Sequence, residues 1–240
     1  MLRSHTKCVL AVMSLCLIAA GAANEEVHPK LSEERVVFQL DAGDIEFAFL
    51  PEVAPVTAAH IFRLVQLGLY TTNQIFRVDK GFVAQTSDVA SGRTLPLNDQ
   101  QKEHAAKKVP LEVVQGVKHH AGVLSMGRYD DPNSGTSSFS MLLGDAPHLD
   151  MQYTIFGQVT RGMEVLHKLE ELPTKREGIF VMPLNRIEIK SSYWFRVGRP
   201  MHLLVDSGPG GSCEAELADL KQRFASQAEE LQETRRKLLP

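Results

Sequence analysis

The chain has 240 residues, 43% apolar and 23% charged, with a formal net charge of −3. That profile excludes a disordered, collagenous or multi-span membrane protein, and with no basic excess no nucleic-acid partner is expected. Three cysteines are too few for a disulfide-stapled scaffold, so stability must come from one core in a domain of roughly 150–200 residues.

In chain order, Arg3 and Lys7 precede an apolar run from Cys8 to Ala20 that ends in Ala20-Gly21-Ala22-Ala23. A basic start, a short apolar stretch and a small-residue end predict a secretory signal peptide over residues 1–23. This places the mature protein in the secretory pathway, in the endoplasmic reticulum lumen or secreted. The run is shorter than the ~20 residues of a membrane span, so no span is expected after cleavage. Cys8 and Cys16 leave with the signal, and Cys213 remains as an unpaired thiol. Residues 24–35 form a lead-in.

The main domain is expected over 36–197. Val36–Leu40 and Ile45–Leu50, separated by a Gly43-Asp44 turn, predict a β-hairpin. Thr57 is placed to cap a helix starting at Ala58, with Ile61, Phe62, Val65 and Leu69 on one face. Further strands are expected at 75–78, 82–87, 122–127, 138–143 and 154–159. Gly162 opens a second amphipathic helix through Met163, Leu166, Leu169 and Leu172. Residues 185–189 and 193–197 supply closing strands. Many short strands with only two helices predict a mainly β fold, a closed antiparallel barrel.

Residues 198–211 read as a linker, rich in glycine around Pro209. Over 212–240 Ser212 caps an amphipathic helix in which Leu217, Phe224, Leu231 and Leu238 repeat every seven residues. Leu220 starts a second seam, but Gln227 and Thr234 occupy its later positions, so any coiled coil is marginal. The stripe predicts docking on the barrel, a homodimer or a helical partner through 212–239, with Cys213 on the seam.

Elimination narrows the chemistry. No nucleophile elbow, zinc-protease helix, phosphate loop or Cys-x-x-Cys is present. His119-His120 lacks a partner at metal-ligand spacing and reads as polar surface loop. The run Ser134–Ser138 reads as a loop entering a strand. Arg77 stands out, because it sits in a strand among apolar neighbours, where a guanidinium is seldom placed without a partner or a task. After the Gly81 turn, Phe82 and Gln85 return toward it. Two readings stay open for this segment alone: a site built on Arg77, or an arginine that snorkels to the rim beside surface polarity.

The segment Gly43-Asp44-Ile45 through Arg77-Val78, then Gly81-Phe82-Val83-Ala84-Gln85-Thr86-Ser87-Asp88, resembles the cyclophilin family of peptidyl-prolyl isomerases. Gly122–Met126, Asp131–Ser134, Ser137-Ser138-Phe139 and Thr154–Val159 are similar to its later blocks in the same order, a likeness running from about Val36 to Ile189. The resemblance implies a closed eight-stranded antiparallel barrel capped by two helices. It also implies an apolar proline groove on the outer face beside one arginine, acting on X-Pro-containing polypeptide clients to assist folding. Arg77 matches the catalytic arginine. Phe82, Val83, Gln85, Phe139 and Leu149 match groove positions.

Departures from the family pattern are Phe76 for His, Arg128 for Asn, Ser138 for Gln, Ser140 for Phe, His148 for Trp and Tyr153 for His. Through Arg128, Ser138, Ser140, His148 and Tyr153 the substrate-binding surface loses aromatic bulk, and weak cyclosporin binding is expected. The implied reaction, rotation about an X-Pro bond, needs no cofactor or metal. Alternatively, the same groove binds proline peptides with little catalysis, or the barrel is a scaffold that acts through its C-terminal helix.

Overall fold

The computed structural model of the chain describes residues 28–198. The expectations for the signal peptide, the helix over 212–240, its heptad seam and Cys213 concern residues outside that range.

The first elements are two antiparallel strands, β1 (Glu34–Leu40) and β2 (Gly43–Phe49). Leu40 pairs with Gly43, so the turn is Asp41-Ala42, two residues before the expected Gly43-Asp44. Gly43 has φ +133°, and a Cβ there would lie 2.8 Å from Val165 Cγ2. Both the backbone and the space therefore require glycine.

Helix α1 (Pro55–Gln66) starts ahead of the expected Ala58. Thr57 is not its cap but a buried residue of its first turn. The capping group is Glu112, far along the chain. Its Oε2 accepts from the Thr57 N–H at 2.8 Å and the Thr57 hydroxyl at 2.7 Å, and its Oε1 accepts from the Val56 N–H at 3.0 Å. A carboxylate here satisfies orphan N–H groups and sits at the positive end of the helix dipole.

Strands β3 (Gln74–Asp79) and β4 (Val83–Thr86) follow, then helix α2 (Asp99–Ala105). Beyond them lie β5 (Val123–Met126), β6 (Phe139–Leu142), β7 (Ile155–Arg161) and helix α3 (Met163–Glu170). The domain ends with β8 (Thr174–Glu177), β9 (Phe180–Pro183), β10 (Ile187–Glu188) and β11 (Ser191–Arg196). Helix α2 was not expected, and the described residues thus hold three α-helices rather than two. Only Ala105 of α2 is buried, so it has no apolar periodicity. A reciprocal capping box between Asn98 and Gln101 holds it.

The sheet also differs from the expected closed eight-stranded barrel. It has nine strands in the order β10-β3-β4-β6-β5-β7-β2-β1-β11, open between β10 and β11, and β8-β9 form a separate hairpin. The physical reason is that the last strand is split. Residues 187–188 pair with β3, and after Ile189-Lys190 the chain continues as β11 along β1. One short segment thus spans both ends of the curved sheet.

The concave side is filled by aromatic rings. Phe139 packs 5.8 Å from Phe47, 5.4 Å from Phe156 and 5.7 Å from Tyr70, between centroids, mostly edge to face. The Tyr70 hydroxyl donates to the Ser137 carbonyl at 2.7 Å, and burial, then Asp88, pushes its pKa well above the usual tyrosine value.

Removing the distant cap should cost stability. Glu112→Ala is expected to lower the unfolding free energy by roughly 1–2 kcal/mol, with Glu112→Gln recovering part of it because the amide oxygen still accepts. Denaturant unfolding with an unchanged midpoint for Glu112→Ala would show that Glu112 does not cap α1.

Candidate functional site

The register of β3 on β4 shifts between Ile75 and Arg77, leaving Phe76 as an extra residue. Ile75 and Val78 stay buried in the core, while Phe76, Arg77 and Asp79 all take the outer face. A bulge re-aims side chains in this way. Here it adds an aromatic ring to the face on which alternation sets a cation and a carboxylate side by side.

Arg77 Nη2 donates to Asp79 Oδ2 at 3.0 Å, and the arginine side chain is only 16% exposed. Its guanidinium carbon lies 5.3 Å from the Phe82 ring centroid and 5.6 Å from that of Phe180. Each ring has a partner of its own: Phe82 faces His148 at 5.4 Å, and Phe180 meets Phe76 at 5.5 Å. Arg77 therefore joins two aromatic pairs by cation–π contact. Its buried Nε–H has no acceptor among the described residues.

A groove of about 650 Å³ runs past Arg77. On one side Phe82 and Leu149 pack on the buried cluster of Val83, Leu142 and Ala146, making an apolar shelf. Ser138 and Ser140 also line the groove, and Gln85 Nε2 donates to Ser138 Oγ at 3.2 Å. Arg128 stacks on Tyr153 at 4.4 Å, and both line the groove. The Gly81 turn that carries Phe82 is tied to α3 by Glu170, whose Oε1 accepts from the Gly81 N–H at 2.7 Å. Burial alone would raise the Glu170 pKa, but hydrogen bonds from His167 and Gly81 hold it below the usual range.

The structure thus gathers Arg77, Phe82, Val83, Gln85, Leu149, Ser138, Ser140, Tyr153 and Arg128 at one groove. Phe139 does not belong there. It is fully buried in the aromatic core, because alternation along β6 sends Phe139 and Met141 inward and Ser140 outward. His148 reaches the groove only through its contact with Phe82. Sequence reasoning missed Asp79, Ile179 and Phe180. The spacing of Asp79, two after Arg77 in a strand, was a usable signal. The hairpin carrying Ile179 and Phe180 gave none, since every residue of β8 is exposed.

The reading of His119 as surface polarity is also overturned, because it is 1% exposed. Asp150 Oδ1 accepts from the His119 backbone N–H at 2.9 Å and from ring Nδ1 at 3.0 Å. Nε2 therefore accepts from the Ser125 hydroxyl at 3.1 Å, which fixes the neutral tautomer. This order matches that of serine hydrolases, but Ser125 is 3% exposed within β5. The chain acts as a tether between the loop bearing Asp150 and the groove floor, where Ser125 lies.

With this geometry established, comparison with known proteins decides the family. Residues 35–193 match the family described as cyclophilin type peptidyl-prolyl cis-trans isomerase/CLD. The chain is a cyclophilin. It is 53% identical over 231 residues to peptidyl-prolyl cis-trans isomerase CYP23 of Arabidopsis thaliana, covering 96% of each chain. To human peptidyl-prolyl cis-trans isomerase-like 3 it is 35% identical over 157 residues, 65% of this chain and 92% of that one. A Cryptosporidium parvum cyclophilin crystallised in the presence of the dipeptide Ala-Pro is 25% identical. It superposes with a TM-score of 0.56 over 66% of this chain and 96% of that one. This cyclophilin is accordingly an isomerase, of the peptidyl-prolyl cis-trans class.

Burial is the largest effect on both His119 and His60, and it holds both below the ordinary histidine pKa despite hydrogen bonds that oppose it. The unfolded chain therefore takes up protons first near pH 6.5. Stability is full above that pH and is lost as pH falls through the folded-state values. Thermal unfolding from pH 7.5 to 5 should show a falling midpoint, with a shallower fall in His119→Gln. An identical slope in that variant would remove His119 from the account.

Proposed function

We propose that the groove catalyses rotation about X-Pro bonds of polypeptide clients, with Arg77 as the donor that favours the twisted state. What carries this reading is the Arg77 guanidinium, held by Asp79 and two rings beside an apolar shelf, with an Nε–H left without an acceptor among the described residues. The planar X-Pro amide resists rotation by roughly 18–20 kcal/mol because resonance stiffens C–N. At the twisted midpoint resonance is lost, and the prolyl nitrogen regains a lone pair that accepts a hydrogen bond. A fixed, permanently charged donor binds that state better than either planar one. Phe82, Val83 and Leu149 take the proline ring, and Gln85 steadies the substrate backbone. The sequence of residues 1–23 supports action in the secretory pathway.

Arg77→Ala should lower kcat/KM for a model X-Pro peptide at least about tenfold, or about 1.4 kcal/mol of transition-state stabilisation. A protease-coupled isomerisation assay measures it. Equal rates for wild type and variant would end this role for Arg77.

The aromatic bulk lost at Ser140 and His148 favours a second reading, a groove that binds proline peptides with little turnover. The Gln85 amide gives one of its two N–H groups to Ser138, which leaves the other N–H and the carbonyl oxygen to hold substrate. Calorimetric affinity for the same peptides without rate acceleration would favour this second reading. For cyclosporin, His148 in place of Trp and Ser140 in place of Phe remove ~100 Å² or more of aromatic contact, worth roughly a hundredfold in affinity. His148→Trp should tighten binding in calorimetry, and nanomolar affinity in the wild type would refute the expectation.

A further inference from the structure

We propose that the β8–β9 hairpin is a second wall of the groove that selects substrates with a large apolar side chain close to the proline. This rests on the isomerase reading above and deepens it by naming the sequence class.

The hairpin is a separate two-stranded sheet whose turn residue Gly178 has φ +59°. It brings Ile179 and Phe180 to the groove that holds Arg77. Phe180 contacts both Phe76 and the Arg77 guanidinium, so the wall is joined to the proposed donor itself. Ile179 is 75% exposed, although it is a large apolar residue on the groove lining. Across Arg77, the shelf of Phe82, Val83 and Leu149 takes the proline ring. The distances from the guanidinium to Phe82 and Phe180 put the two apolar surfaces within two or three residues of extended chain, at about 3.3–3.6 Å per residue. A peptide with its proline on the shelf therefore lays a neighbouring side chain against Phe180 and Ile179.

Charge points to the same occupant. Arg77 is matched by Asp79 at 3.0 Å, which leaves it little net attraction for an acidic residue. On the hairpin Lys175 pairs with Glu177 on the face of Phe180, while Arg176, opposite Val181, lies on the other face. With those charges compensated, recognition at this wall falls to contact area, which favours leucine or phenylalanine over alanine or a charged residue.

The test uses the full chain and peptides with a single proline, carrying Ala, Leu, Phe, Lys or Glu at each of the two positions before and after it. Exchange spectroscopy gives kcat/KM, and fluorescence anisotropy gives Kd. In the wild type, Leu or Phe at one of those positions should exceed Ala by about tenfold in kcat/KM, carried by KM and mirrored in Kd. In Ile179→Ser and in Phe180→Ala that ratio should fall to within about twofold, and Phe180→Leu should keep most of it. If Phe180→Ala fails to fold by circular dichroism, the exposed Ile179→Ser carries the test. No preference in the wild type, a preference for a charged residue, or one that survives both variants overturns the proposal. If no peptide is isomerised, the catalytic reading falls, and the Kd ratios alone then decide whether the hairpin selects.

Discussion

A guanidinium taken mostly out of water has to be matched by charge and by contact, and the outer face of this domain is arranged around that requirement at Arg77. The bulge at Phe76 brings the Phe76 ring onto the face of Arg77, and the ordinary two-residue alternation of the strand sets Asp79 beside the arginine. Phe82 arrives on the Gly81 turn, and Glu170 of α3 fixes that turn by accepting its N–H. Phe180 arrives on a hairpin more than 90 residues later in the chain. Each partner belongs to a different element, so the arginine's position reports on the packing of all of them.

The opposite face of the sheet supports this arrangement because it is buried and closely packed. Phe38, Phe47, Tyr70, Phe139 and Phe156 form one aromatic cluster under the strands that carry the groove. Strand β6 shows the division of labour. Phe139 and Met141 anchor it from within, while Ser138 and Ser140 face the groove. A slip of one residue would exchange these faces and bury the hydroxyls, so the alternation that hides Phe139 also defines the groove floor.

Much of this could be read from the chain, for reasons that differ by element. The strands of the main sheet announced themselves through apolar runs broken by glycine and proline, because one side of each is buried. Arg77 stood out because a cation in such a run is anomalous. Helix α2 and the β8–β9 hairpin escaped because they are held by a capping box and by backbone pairing rather than by a buried stripe. His119 was misjudged because its partners, Asp150 and Ser125, come together only in the folded chain. Glu112 capping α1 belongs to the same class, as no local pattern marks a cap supplied from 55 residues away. The placement of Phe139 failed by a single step of alternation, which resemblance alone could not fix.

The split final strand has a mechanical consequence. β11 lies along β1 with Arg196 paired to Glu34 at the end nearest Gly198 and Ser191 paired to Gln39 at the other. A pull on Gly198 directed across the β1–β11 ladder loads these pairs one after another, as a zipper, rather than all together in shear. Peeling β11 uncovers the edge of β1, and the same pull then reaches Ile189, bonded to Thr72 and Asn73, and β10, paired with β3. β3 is the strand that holds Arg77. A force on the C-terminal side of the domain is therefore delivered, through one continuous segment, to the strand that carries Arg77.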